Sequence, residues 1–189
     1  GDGIPFRTYP GTHATKGAYF TRGTSKDRYA KYSEAGPDYV ENMQRLLRKF
    51  ETAKDLVPQP VAANASKKTK LGVIFYGSTS PAMAEAMELL EADHVHVDTL
   101  RVRAFPFSSA VEDFIEAHEQ VFVVEQNRDA QLRGLLVNEL NTDPAKLIPV
   151  LHYDGTPITA RFIVKEISQT ASTLNVTPLR KTVRGDSAE

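Results

Sequence analysis

Four residues, Gly77-Ser78-Thr79-Ser80, separate the apolar run Leu71-Gly72-Val73-Ile74-Phe75-Tyr76 from Pro81 and an apolar-periodic segment. Backbone N–H groups at such a strand-to-helix turn can hold an anion. The spacing is neither GxGxxG nor a P-loop, so a Ser/Thr-rich capped turn explains it as well. Glu125-Gln126-Asn127-Arg128-Asp129 ends a second apolar run, at the edge where α/β proteins place binding residues. Glu125 and Asn127 are candidates there for an anion site or an interface, and capping of the next helix explains Asn127 or Asp129 equally. Arg101 and Arg103 could clamp a carboxylate or phosphate, or simply be solvent-exposed arginines at a strand end. Arg7 is held between Pro5 and Pro10, a stiff presentation that suits bidentate carboxylate recognition, and His13 follows it. An ordinary loop arginine is the alternative. His94 and His96 would face one side of a strand, but two histidines without a third ligand make no metal site.

The elements that must position these residues are legible from periodicity. Leu71–Tyr76 is short and rich in β-branched and aromatic residues, which predicts a buried strand. Ser80 as N-cap and Pro81 in the first turn predict a helix over Ala82–Leu90. Further strands are expected at Val95–Leu100, Val121–Glu125 and Leu147–Leu151, with Pro149 pointing to an edge or strand end. Ser109-Ala110-Val111-Glu112 fits a capping box for a helix over Val111–His118. Asp129–Leu140 reads as another helix, and Thr156-Pro157 as the start of a closing one that runs to about Ser168. Strands alternating with helices predict an α/β fold with a mainly parallel sheet.

Upstream, residues 1–36 carry too many glycines and prolines for a long regular element, yet also several aromatics, so they should pack on something. Residues 37–56 repeat Val40, Met43, Leu46, Leu47 and Phe50 at helical spacing, which predicts a linking helix. Residues 57–70 are polar and read as a solvated tether, residues 71–170 as the main domain and residues 171–189 as a flexible tail.

Composition sets the outer bounds. The chain has 189 residues, 41% hydrophobic and 25% charged, which is ordinary for a soluble globular protein. A formal charge of -1 gives no support to nucleic acid or an anionic membrane as partner. No apolar run approaches the roughly 20 residues that span a bilayer. No signal peptide opens the chain, which favours the cytoplasm, and a start at Gly1 suggests a piece of something longer. With no cysteine there is no thiolate nucleophile and no iron–sulfur ligand set.

Six ordered stretches carry a resemblance: Gly3–His13, Phe20–Ser25, Tyr76–Met83, Leu100–Phe107, Val123–Asp129 and His152–Ile158. Together they resemble the C-terminal part of the alpha subunit of 2-oxoacid:ferredoxin oxidoreductases, with the 2-oxoglutarate type looking closest. The resemblance implies a three-layer α/β/α sandwich of the transketolase C-terminal type over residues 71–170, preceded by the end of a thiamine-pyrimidine domain and its crossing loop. It implies an enzyme that decarboxylates a 2-oxoacid on thiamine diphosphate with magnesium, passes electrons through an iron–sulfur cluster to ferredoxin and delivers the acyl group to coenzyme A. None of these cofactors is expected on this chain. Arg7 matches the family's arginine near the 2-oxoacid carboxylate, with His13 beside it as a second substrate-binding candidate. Gly77, Ser78, Thr79, Ser80, Glu125 and Asn127 become coenzyme A-proximal or interface candidates, and no catalytic residue is expected.

The pyrimidine domain proper, the gamma-type domain and the diphosphate-binding beta subunit have no counterpart in the sequence. The expectation is a structural and assembly section of an oligomeric complex, partnered by the rest of the alpha subunit, the beta subunit and, through them, ferredoxin. Two other classes stay open: a free-standing anion- or nucleotide-binding module using Gly77 to Ser80, and a pure interaction domain.

Overall fold

Backbone amides in a run such as Leu71–Tyr76 have no helical period to follow, and their β-branched side chains pack best on a pleat. In the computed structural model, which describes residues 1–4, 9, 11–15, 17, 25–29 and 31–174, that run is a strand with the predicted bounds. The chain divides into two units, residues 1–59 with 104–108 and residues 60–103 with 109–189.

The second unit is built on a five-stranded sheet. Its strands are β1 (Val61–Ala63), β2 (Leu71–Tyr76), β3 (Asp98–Val102), β4 (Gln120–Glu125) and β5 (Leu147–Leu151), in the spatial order β1-β3-β2-β4-β5. The last four are mutually parallel, and β1 runs antiparallel to β3 with Val61 opposite Arg101. Helices α2 (Ser80–Ala92), α3 (Ser109–Ala117), α4 (Gln131–Leu140) and α5 (Ala160–Thr173) join them.

Side-chain alternation sorts the helices into two outer layers. Val73, Phe75, Phe122, Val124 and Val150 point one way and form a core with Met83, Ala86 and Leu90 of α2 and Ile163 and Ile167 of α5. The opposite face meets α3 and α4. A Cβ on Gly72 would lie 2.8 Å from the Phe114 ring of α3, and Glu125 bonds the first amides of α4. Val73, Ile74 and Val121–Val124 are fully buried because both faces are covered. The result is an α/β fold with a mainly parallel sheet between helical layers. Pro149 sits on β5, an edge strand paired only with β4, where a missing donor is tolerated.

Several boundaries differ from the sequence reading, each for a local reason. Residues 57–70, read as a tether, hold β1 and are stitched to the sheet unit. Ala65 N donates to Asp98 Oδ1 at 2.8 Å, and Thr69 Oγ1 donates to the His96 carbonyl at 2.7 Å. The strand expected over Val95–Leu100 lies two to three residues later, at Asp98–Val102. His94 takes a positive φ of 61° in the preceding turn, and His96 lies outside the strand with its ring 3.0 Å from Glu91 Oε2. The two histidines therefore do not share a strand face. α3 starts at Ser109, so that residue is in the helix and not its cap. α5 opens at Ala160 with Thr159 as N-cap, its Oγ1 accepting from Phe162 N at 3.3 Å. Thr156 instead donates its N–H and hydroxyl to Asp154 in a tight turn.

The first unit contains helix α1 (Gly36–Leu56), close to the predicted bounds, with Pro37 in its first turn. Residues 2, 3 and 26 lie along its polar side. Gly3, at φ +83°, lies so close that a Cβ would be 2.5 Å from Lys49 N, and Thr52 Oγ1 donates to the Asp2 carbonyl at 2.6 Å. Asn42, the buried residue of the helix, donates to the Lys26 carbonyl.

Candidate functional site

A sheet whose first-laid parallel strand receives later strands on both sides has a switch point. Loops leave its neighbouring strand ends in opposite directions and open a crevice there. Here β2 is flanked by β3 and β4, so the crevice falls between the carboxyl ends of β2 and β4. Gly77–Thr79 follows one end and Gln126–Arg128 the other. The structure thus brings six of the candidate residues, Gly77, Ser78, Thr79, Ser80, Glu125 and Asn127, to one edge of the sheet.

Two of them act from inside. Glu125 is fully buried, and its carboxylate accepts from Leu132 N at 2.7 Å, Arg133 N at 3.0 Å and Asn127 Nδ2 at 2.7 Å. Leu132 N and Arg133 N are orphan amides of the first turn of α4, which begins after Ala130 at φ 51° and has no side-chain cap of its own. Asn127 Oδ1 accepts from Asp129 N at 3.1 Å and Gln131 N at 3.2 Å. Together the two side chains satisfy the helix start from the strand side, which is why α4 begins at Gln131 and not at Asp129.

The turn after β2 is tightened in the same manner. Gly77 has φ +58°, the 3₁₀ segment Gly77–Thr79 runs into α2, and Ser80 Oγ donates back to the Gly77 carbonyl at 2.9 Å. Ser80 is therefore inside the first helical turn and does not act as its N-cap. Thr79, at the cap position, is buried without a side-chain bond to the helix.

Gln126 ties the two ends together. Its Nε2 donates to Ser78 Oγ at 3.0 Å and Thr79 Oγ1 at 3.2 Å, while its Oε1 accepts from Ile158 N at 3.4 Å. One side chain thus links the β2–α2 turn, the end of β4 and the segment before α5. The Glu125 carbonyl adds a bond from His152 N at 3.0 Å, and the exposed Asp154 lies 3.4 Å from His152 Nε2. The Thr156 hydroxyl first, and its backbone N–H second, hold the Asp154 carboxyl below the usual carboxylate range.

Sequence reading passed over Gln126 within its motif. Its signal was positional: Glu125 ends the strand pointing into one helical layer, so the next side chain must leave toward the other side, at the switch point. Chemically, Gln126, Ser78 and Thr79 are amide and hydroxyl groups bonded to one another, beside the Glu125 carboxylate that holds the start of α4. Gln126 bridges the crevice and occupies acceptor sites on Ser78 and Thr79, whose O–H groups remain donors. The absence of cysteine from the whole sequence likewise leaves no thiolate set for an iron–sulfur cluster. Among the described residues, no group of three metal-ligating side chains gathers. No helix among them is long and apolar enough to cross a membrane.

The other two candidates belong to the first unit. Arg7 lies outside the described residues. His13 is exposed and shapes a coiled loop, its Nδ1 accepting from Thr15 N at 3.1 Å and its carbonyl from Gly17 N at 3.3 Å. A Cβ at Gly17 would come 2.8 Å from His13 N, so the loop needs glycine to close on itself there.

No protein-family model matches this chain. It is 29% identical over 141 residues to the alpha subunit of 2-oxoacid:ferredoxin oxidoreductase 2 of Aeropyrum pernix, covering 72% of this chain and 22% of that protein. It is 26% identical over 140 residues to the 2-oxoacid:ferredoxin oxidoreductase alpha subunit of Saccharolobus solfataricus, with the same coverage of 72% and 22%. The chain thus spans about a fifth of the length of the curated relatives it matches. In fold it is similar to a 2-oxoglutarate:ferredoxin oxidoreductase from Magnetococcus marinus, solved with 2-oxoglutarate, coenzyme A and succinyl-CoA bound. That likeness has a TM-score of 0.70 at 20% identity, covering 86% of this chain and 32% of that one. Over 72% of its length, the chain is similar in sequence to these two alpha subunits of 2-oxoacid:ferredoxin oxidoreductases.

Proposed function

We propose that this chain is one section of the alpha subunit of a 2-oxoacid:ferredoxin oxidoreductase, with 2-oxoglutarate as the favoured acid. The observation that carries the reading is the sequence relationship to two such alpha subunits across 72% of the chain. In this reading the whole complex oxidatively decarboxylates the acid and forms an acyl-CoA, with ferredoxin as electron acceptor. Thiamine diphosphate supplies the carbanion-stabilising chemistry when bound. Iron–sulfur ligands come from other parts of the complex, since this sequence has no cysteine.

The work left to this chain is structural and positional. The sheet unit is a rigid platform whose switch-point edge is locked by Gln126 and Glu125. The N-terminal loop, with Arg7 and His13, reaches an active site built elsewhere, where the Arg7 guanidinium pairs with the substrate carboxylate. The anion-module alternative is the weaker reading, because the sequence relationship supports the oxidoreductase section and not a free-standing module.

The test uses the full alpha subunit with its beta partner. Coenzyme A-dependent dye reduction is measured across several 2-oxoacids, for wild type and Arg7→Ala. Loss of kcat/KM by tenfold or more (about 1.4 kcal/mol) in an assembled variant supports the loop assignment. Full activity in Arg7→Ala sinks it, and a wild-type complex that turns over no 2-oxoacid sinks the functional reading.

A further inference from the structure

Residues 60–70 form the outer border of the sheet through β1, and two carboxylates fasten them there. Each carboxylate has a histidine on its second oxygen. Asp98 Oδ1 accepts from Ala65 N at 2.8 Å, and Asp98 Oδ2 lies 3.1 Å from His118 Nε2. One residue on, the Ser66 hydroxyl donates to Glu91 Oε1, and Glu91 Oε2 lies 3.0 Å from His96 Nδ1. The first pair is the more enclosed, with the His118 side chain 5% exposed. Its ring is held between the Phe114 ring, 4.4 Å away, and Gly72, where a Cβ would lie 3.1 Å from its Cγ.

Proton counting singles this pair out. His118 Nδ1 lies 2.7 Å from the Phe114 carbonyl, which can only accept, so that nitrogen carries a hydrogen. An ionised Asp98 can only accept as well. The 3.1 Å contact between Nε2 and Oδ2 therefore needs a proton of its own, on the ring or on the carboxyl. Moving the single hydrogen of a neutral ring to Nε2 gives no relief, because Nδ1 then faces the carbonyl bare. Without the extra proton, two acceptors meet in a site with little water to separate them. The other charged groups beside the pair are Glu116, Glu119, Asp143 and Lys146, which line a cavity with His118, and Lys70, which pairs with Glu119. Three carboxylates against two ammonium groups do not oppose a proton on the pair.

We infer that the proton shared by His118 and Asp98 is a clasp for the border segment, holding Ala65 and β1 on the sheet and releasing them as pH rises. In the unfolded chain an imidazole keeps its second proton only below about pH 6.5, and an aspartate carboxyl its proton only below about pH 4. Above about pH 6.5 the folded pair holds one proton more than the unfolded chain, so its contribution to stability falls as pH rises. Between about pH 4 and 6.5 both states hold one proton and the contribution is level. A local opening that parts Asp98 from His118 gives up this proton, so its equilibrium constant grows by up to about tenfold per pH unit.

Amide exchange at Ala65 in the 189-residue chain, expressed as protection relative to an unstructured amide, is followed from about pH 6 to 9. In wild type the protection should fall by about tenfold or more across that range. It should stay level in His118→Gln, whose amide still donates to Asp98 without titrating. His96→Gln, which alters the neighbouring Glu91 pair, should keep the wild-type fall. A level wild-type profile overturns the clasp, as does an equal fall in wild type and His118→Gln or a lost fall in His96→Gln. Ring-nitrogen and Asp98 carboxyl-carbon NMR shifts of wild type at about pH 8, where a free imidazole is neutral, need no variant. A doubly protonated ring or a protonated Asp98 is expected there, and a neutral ring beside an ionised carboxylate overturns the inference.

Discussion

Helices α1 and α5 carry the same kind of apolar periodicity and meet opposite fates. In α5, Ile163 and Ile167 are fully buried in the core with Met83 and Leu90 of α2. In α1, Val40, Met43, Leu47 and Phe50 are exposed, and the buried residue is Asn42. Period 3.6 determines that a segment is a helix with two unlike faces; it does not determine what lies against the apolar one. That depends on whether the partner surface is supplied by nearby chain. For α5 the sheet supplies it, and for α1 the neighbouring residues present backbone carbonyls to the polar side.

The contrast is sharpest in stability. Ile163→Ala should cost the isolated chain about 2–5 kcal/mol through lost burial and a residual cavity. Leu47→Ala should cost no more than about 0.5 kcal/mol in the same protein. Urea unfolding of the two variants measures the difference, and equal losses would erase the distinction between the helices.

Glu125→Ala asks whether the sheet unit is as self-sufficient in its polar contacts as in its core. It strips the acceptor from Leu132 N and Arg133 N and should cost about 3 kcal/mol. Faster hydrogen exchange at the Leu132 amide should accompany the loss; unchanged protection there would show that α4 is held by packing alone. Gly72→Ala probes the tightness of the α3 layer. Its new Cβ would lie 2.8 Å from the Phe114 ring and 3.1 Å from His118, whose ring bonds the Phe114 carbonyl at 2.7 Å and Asp98 at 3.1 Å. A loss of about 1–3 kcal/mol is expected by overpacking. A neutral result would mean that the Phe114 ring moves aside freely.

The smallest effect concerns the surface. The Ser66 hydroxyl first, and His96 second, hold the Glu91 carboxyl below its ordinary range. A carboxyl depressed in the folded state contributes stability above its unfolded pKa and loses it as pH falls through the folded value. Ser66→Ala should therefore move the Glu91 titration upward in NMR, weakening one stitch of the 57–70 segment to α2. No movement would assign the shift to other neighbours.

Much of the fold was legible because its strands are buried on both faces and its turns use recognisable residues. β2 and β5 have the predicted bounds, and the edge placement of β5 follows from Pro149. The departures share a cause. β1 is three exposed residues whose pairing depends on β3 lying open beside it, a tertiary fact with no local pattern. The late start of α4 depends on Glu125, seven residues before Leu132, and α5 is capped by Thr159 because Asp154 has already engaged Thr156. Site candidates were harder to read. Ser78, Glu125 and Asn127 gather at one edge, as strand ends must, but Gln126 joins them only because the strand order puts β4 beside β2.

The two borders of the sheet carry a last implication, for how this protein behaves when crowded. At β5 a proline removes a donor from the outer row, and at β1 the row is three residues long. Neither border offers another chain a template to extend, so fibril growth by strand addition has no starting point on the folded sheet. Loss of solubility at high concentration should begin on α1, as reversible clustering through its aromatic and aliphatic face.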